Sequence, residues 1–319
     1  MDIRERATEL DQASGCDPEN AVLSTERKTL LDQLAVEELG LIFRYIPAGP
    51  FEMGSKNGDP DESPVHVVDL DGFWMSETPV SWARYCELMD WLPPPTGIPR
   101  AGGPMNARSP LFFLAEENKL RLQYCDDRSD RAGDWHAHAK AAQGDVARPY
   151  DSKPAVSISW QDVEVLCEHH SSGQAHYRLP TEAEWEKAAR GGLIGKRYAW
   201  GNEPPAPSRC DCDRYDSFSI APMRTFPPNG YGLYAMCGGI WEWTSDWYDA
   251  QFYAESPARN PAGPTHGEIK VVRGGSWADS PEAVTVSFRN GLRSQSWRDN
   301  KWSAPMTPNC GLRLCRVER

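Results

Sequence analysis

No stretch of the 319-residue sequence approaches the roughly 18 consecutive apolar residues of a membrane-spanning helix. The first thirty residues, MDIRERATELDQASGCDPENAVLSTERKTL, are charged and have no apolar centre. No secretion signal is therefore expected, and the default compartment is the cytoplasm. Positive charge is also short: 34 Lys and Arg stand against 46 Asp and Glu, a formal net charge of −12. Without a basic run, binding to nucleic acid or to an anionic membrane is excluded as a general function. Nine cysteines, an odd number without regular spacing, argue against an obligate disulfide framework. Cys210 and Cys212 in RCDCD lack the second Cys or His pair of a zinc site and are read as structural thiols. No Gly-rich phosphate loop occurs, and scattered Ser, His and Asp residues outline no nucleophilic triad.

Aliphatic content is low as well, with hydrophobic residues at 39%, whereas tryptophan (13) and glycine (26) are plentiful. Large rings and irregular backbone are thus expected to build the core. They concentrate in NGYGLYAMCGGIWEWTSDWY, residues 229–248, where a single carboxylate, Glu242, lies between two tryptophans. If buried, that carboxylate must be paired, solvated or metal-bound.

The periodicity predicts one N-terminal helix over Thr25–Leu39, with Leu30, Leu31, Leu34 and Val36 as its apolar face, in an extension spanning residues 1–40. LIFRYIPAGPFEM, from Leu41, reads as a hairpin, and VHVVDLDGFWM as a strand carrying Val65, Val67 and Phe73 through a turn-prone Asp-Gly. Ser81 and Ser159 are expected to cap helices, and Thr181 with Glu184 forms a capping box. Between these lies an insertion at about 93–153, too long to be structureless in a compact domain. Its WHAHA segment places His136 and His138 at alternate positions, but without a third ligand they are read as loop histidines. Cys310 and Cys315, five apart in one terminal strand, should face opposite sides.

Seven segments, in order, carry a resemblance: IPAGPFEMGS, PVSWARYCELMDW, ISWQDVEVLC, RLPTEAEWEKAARGG, NGYGLY, WEWTSDWY and RGGSW. Over roughly residues 43–315 the chain resembles the formylglycine-generating enzyme (sulfatase-modifying factor) family. The resemblance implies an α+β, C-type-lectin-like fold of low regular secondary structure, as one domain over 41–319. It also implies a structural calcium ion held by the carbonyls of Gly238 and Ile240 and the carboxylate of Glu242, although the family's Asn ligand is Ala235 here. The enzymes oxidise a sulfatase cysteine with their own copper-binding cysteine pair, at the third and eighth residues after the RGGS serine. Those positions are Asp279 and Val284, so no copper and no formylglycine synthesis are expected. Nor does the chain match the family's sulfoxide synthases, since the forty residues before the domain contain no histidine.

Two classes of function stay open. In the first, the chain binds a protein or small-molecule ligand, as do related variable proteins diversified by retroelements. The binding surface would lie over residues 278–309, bordered by Trp277 and carrying Asp279, Arg289, Arg293, Trp297, Arg298, Asn300, Trp302 and Asn309. In the second, it is an oxidase or oxygenase acting on a substrate other than a sulfatase.

Overall fold

The computed structural model describes residues 2–16, 21–90, 152–156, 158–214, 220–293 and 309–318. The N-terminal extension holds two helices rather than one, α1 (Ile3–Cys16) and α2 (Ala21–Gln33). α1 packs Ala7 and Leu10, three apart on one face, into the interior. Arg4 grips Glu318 through two bonds of 2.8 and 3.0 Å. α2 stops at Gln33, short of the expected Leu39, because Val36–Glu38 pairs as strand β1 with β2 (Leu41–Ile46).

The expected hairpin over Leu41–Met53 does not form. β2 pairs with β5 (Phe73–Ser76), whereas β3 (Gly49–Met53) pairs with β4 (His66–Leu70) in a separate two-stranded sheet. Asp71-Gly72 splits the expected single strand into β4 and β5, and alternation buries Val68 and Leu70 while Val67 is 59% exposed.

The capped helices follow the sequence closely. α3 (Trp82–Leu88) starts at Ser81, whose hydroxyl accepts from the Arg84 N–H at 3.2 Å. α4 (Trp160–His170) starts at Ser159, which accepts from Asp162 at 3.1 Å. β6 (Ala175–Arg178) leads to α5 (Glu182–Arg190), where Thr181 and Glu184 accept each other's backbone N–H, at 3.1 and 2.9 Å. The insertion, with His136 and His138, lies outside the described residues up to position 151.

β7 (Trp241–Trp247) carries the WEW segment and β8 (Ile269–Arg273) runs into the RGG turn; β9 (Asn290–Arg293) and β10 (Cys310–Gly311) flank them. The four-stranded sheet has the order β10-β7-β8-β9. The five-stranded sheet has the order β1-β2-β5-β11-β6 and closes with β11 (Cys315–Glu318). Cys310 and Cys315 therefore sit on two strands in two sheets, not on one, and both are buried. Trp185, Leu179, Trp241 and Trp243 lie in the core between them. This is the C-type-lectin-like architecture, with mixed, curled sheets and long connections.

Trp243 is 3% exposed and its indole N–H donates to the Ile158 carbonyl at 2.7 Å. Trp243→Ala should destabilise the protein by about 3 to 5 kcal/mol in a chemical melt, and a loss below about 1 kcal/mol would place the ring outside the core.

Candidate functional site

Three backbone segments cross at the centre of the WEW and RGGSW motifs: 210–214, 237–241 and 274–279. The Gly238 N–H donates to the Gly274 carbonyl at 2.8 Å, Gly239 to Asp211 at 2.7 Å, and Trp277 to Gly239 at 3.0 Å. Asp213 and Arg214 donate to the carbonyls of Asp279 and Trp277 at 2.8 and 2.9 Å. Only glycine fits the tightest crossing, because a Cβ on Gly238 (φ +80°) would come within 2.3 Å of the Asp211 carbonyl oxygen.

Beyond the turn, the Asp279 carboxylate accepts from the Ser276 N–H at 2.8 Å and from its hydroxyl. The Asn309 amide donates to the same hydroxyl at 2.5 Å. Ser276 is fully buried, while Asp279 and Asn309 are half-buried. The result is a small polar cluster at the mouth of the crossing.

The structure distributes the other expected binding residues unevenly. Trp277 is 3% exposed and belongs to the core rather than to a surface. Arg289 is also withdrawn: it holds Glu182 through two bonds of 2.7 and 3.0 Å, lies over the Tyr253 ring at 4.2 Å, and donates to the Asp61 and Asp249 carbonyls. Burial removes water from both charges, so Glu182 is what makes a buried Arg289 tolerable. It therefore serves the fold rather than a binding surface. Arg293, at the end of β9, is exposed. Trp297, Arg298, Asn300 and Trp302 lie outside the described residues.

Sequence reasoning missed the ionic interior. Arg273, within RGGSW itself, is fully buried and donates to Glu186 at 2.5 Å and to the carbonyls of Val286, Ser287 and Phe288. Glu186 also takes Arg190 at 2.6 Å. The arginine of a Gly-Gly turn next to a core strand was the available signal.

At the positions the resemblance assigns, the residues present fit neither implied metal. Val284 is a fully buried aliphatic side chain and Asp279 is committed to Ser276, so soft thiolate ligation of copper at these positions is impossible. Glu242 is fully buried, and both of its oxygens already meet Arg313: Oε2 accepts from Nε and Oε1 from Nη2, each at 3.0 Å. The Trp185 indole donates to Oε2 at 2.7 Å. A calcium ion at this carboxylate would have to displace a guanidinium that, among the described residues, has no other carboxylate in contact. Among the described residues no group of three or more His, Cys, Asp or Glu is placed to hold a metal ion.

The fold and this site, without cysteines at positions 279 and 284, define a scaffold of the formylglycine-generating type. The family model described as a sulfatase-modifying factor enzyme 1-like domain matches residues 39–314, and the chain belongs to that family. It is 35% identical over 281 residues to the formylglycine-generating enzyme of Streptomyces coelicolor, covering 80% of this chain and 84% of the relative. It is 35% identical over 279 residues to the inactive C-alpha-formylglycine-generating enzyme 2 of Bos taurus, with the same coverage of 80% and 84%. A solved structure of Treponema denticola variable protein 1 shares the fold at 18% identity, with a TM-score of 0.59, covering 86% of this chain and 94% of that one.

One buried acidic group of β7, Asp246, carries a measurable signature. Burial, reinforced by the charge of Glu182, pushes the Asp246 carboxyl up to about 7. Its Oδ2 accepts from the Glu182 N–H at 2.8 Å and from Ser245 at 3.1 Å. A carboxyl raised in the folded state favours folding below its unfolded value near 4, and that stability is lost as pH rises through about 7. Asp246→Asn keeps an acceptor and cannot ionise. Its stability relative to the unaltered protein should rise by about 2 to 4 kcal/mol between pH 4 and pH 8. A difference that does not change with pH would contradict the assignment.

Proposed function

We propose that the chain is a binding protein without catalytic activity, built on the formylglycine-generating scaffold and recognising a protein or small-molecule ligand through the surface over residues 278–309. The observation that carries this reading is the replacement of the thiol pair by a committed carboxylate, Asp279, and a buried valine, Val284. Neither can bind copper as a thiolate or pass electrons to oxygen. The name of the bovine relative, an inactive member at the same 35% identity, supports the same direction. So does the likeness in fold to a variable protein.

Exposed Arg293 and half-buried Asn309 bracket, in sequence, a stretch with Trp297, Arg298, Asn300, Lys301 and Trp302. Rings and guanidinium groups are the side chains that most often anchor recognition, because they desolvate large areas at small entropic cost. An oxidase or oxygenase acting on a substrate other than a sulfatase is the second reading, supported by the names of relatives such as the Streptomyces enzyme.

Replacing Trp297 and Trp302 together by Ala should leave the melting transition in place while weakening retention of the co-purifying ligand about thirtyfold, corresponding to roughly 2 kcal/mol. Unchanged retention by the folded double variant would remove the function from this surface.

A further inference from the structure

Cys210 and Cys212 were separated from any chemistry by their sequence context, yet the fold brings their sulfurs to 3.6 Å. The reason lies in the strap that carries them. The two cysteines flank Asp211, whose side chain meets a separate set of partners. Asp211 is clamped, its carboxylate accepting from Arg214 at 2.9 Å and from the Ala221 N–H at 2.7 Å, and it is 3% exposed. Its carbonyl is fixed by the Gly239 N–H. The strap is further pinned at Asp213 and Arg214 to the Asp279 and Trp277 carbonyls. Both thiols are thus held close together by contacts that do not involve the sulfurs.

The two thiols are not equivalent. Cys210 is buried, whereas Cys212 is half-buried, and every other described cysteine side chain is buried. We propose that Cys210 and Cys212 are a redox-active dithiol that exchanges with low-molecular-weight disulfides, Cys212 as the attacking sulfur and Cys210 as the resolving one. This assignment is independent of what the 278–309 surface binds.

In the first step Cys212 Sγ attacks one sulfur of the external disulfide, forming a mixed disulfide and releasing the other half as a thiol. Cys210 Sγ then attacks Cys212 Sγ, the Cys210–Cys212 bond forms, and the second half leaves. The protein dithiol loses two electrons, the external disulfide gains them, and the two protons of the protein thiols end on the two released thiols. The pair is polarised in the direction these steps require: hydrogen bonding to Cys210 draws the Cys212 thiol below its ordinary value, and the same contact raises Cys210. Bond formation needs the sulfurs to close from 3.6 Å to about 2.05 Å, a movement within reach of side-chain rotation.

Trypsin isolates the pair, since cleavage after Arg209 and Arg214 releases Cys210-Asp-Cys-Asp-Arg214 with no other cysteine. The folded protein is equilibrated in glutathione buffers from reducing to oxidising, alkylated, digested and weighed by mass spectrometry. The doubly alkylated peptide should fall at least about tenfold across the series, replaced by the same peptide lighter by two hydrogens and without alkyl groups. Cys210→Ser should instead accumulate the glutathione mixed disulfide on Cys212. A peptide that stays doubly alkylated in every buffer overturns the proposal, as does a disulfide joining Cys212 to the peptide that contains Cys237. A persistent mixed disulfide in the unaltered protein would show that Cys210 does not resolve and would equally overturn it.

Discussion

The buried pair of Glu242 and Arg313 is the constraint on which the rest of the structure depends. Two fully buried charges are costly to remove from water unless their geometry and remaining hydrogen bonds are complete. Here they are complete. Arg313 meets both oxygens of Glu242, and donates to the Ser76 carbonyl of β5 and the Tyr234 carbonyl, each at 2.7 Å. Trp185 of α5 supplies a further donor to Glu242. One ion pair thus joins both larger sheets, α5 and the NGYGLY loop. It answers, by pairing with an arginine, what a carboxylate between two tryptophans does when buried.

The same logic shapes the region around RGGSW. Arg190, Glu186, Arg273, Glu182 and Arg289 form a second buried ionic network, with Arg273 bridging the two carboxylates, so these cationic side chains are absorbed into the interior. What reaches the surface is smaller: half-buried Asp279 and Asn309, both bonded to the buried Ser276 hydroxyl, and exposed Arg293 at the end of β9. An acidic side chain fixed by a buried hydroxyl can accept hydrogen bonds and repel anions, but it offers no electrons. That chemistry is consistent with recognition.

Local signals were legible in the sequence and non-local ones were not. Ser81, Ser159 and Thr181 each satisfy an orphan N–H within three residues, so their helices could be placed from short windows. The partner of β2 is β5, some thirty residues on, and nothing in LIFRYIPAGPFEM distinguishes that pairing from a hairpin with its neighbour. α1 is polar along most of its length and buries little beyond Ala7 and Leu10, so its apolar signal is weak. Of the candidate site, the loss of thiols at Asp279 and Val284 was readable by position. The burial of Arg289 was not, because its counter-charge Glu182 lies 107 residues away. The approach of Cys210 and Cys212 depends likewise on the clamp around Asp211, formed by Ala221 and Gly239.

The proposal that the scaffold is used here without formylglycine chemistry is tested most directly by the reaction itself. The purified, unaltered chain is supplied with Cu(I), oxygen and a peptide carrying the sulfatase cysteine, and the peptide is followed by mass spectrometry. A cysteine recovered unchanged, under conditions in which a thiol-bearing relative converts it, is the predicted result. Turnover to the aldehyde by this chain would contradict it.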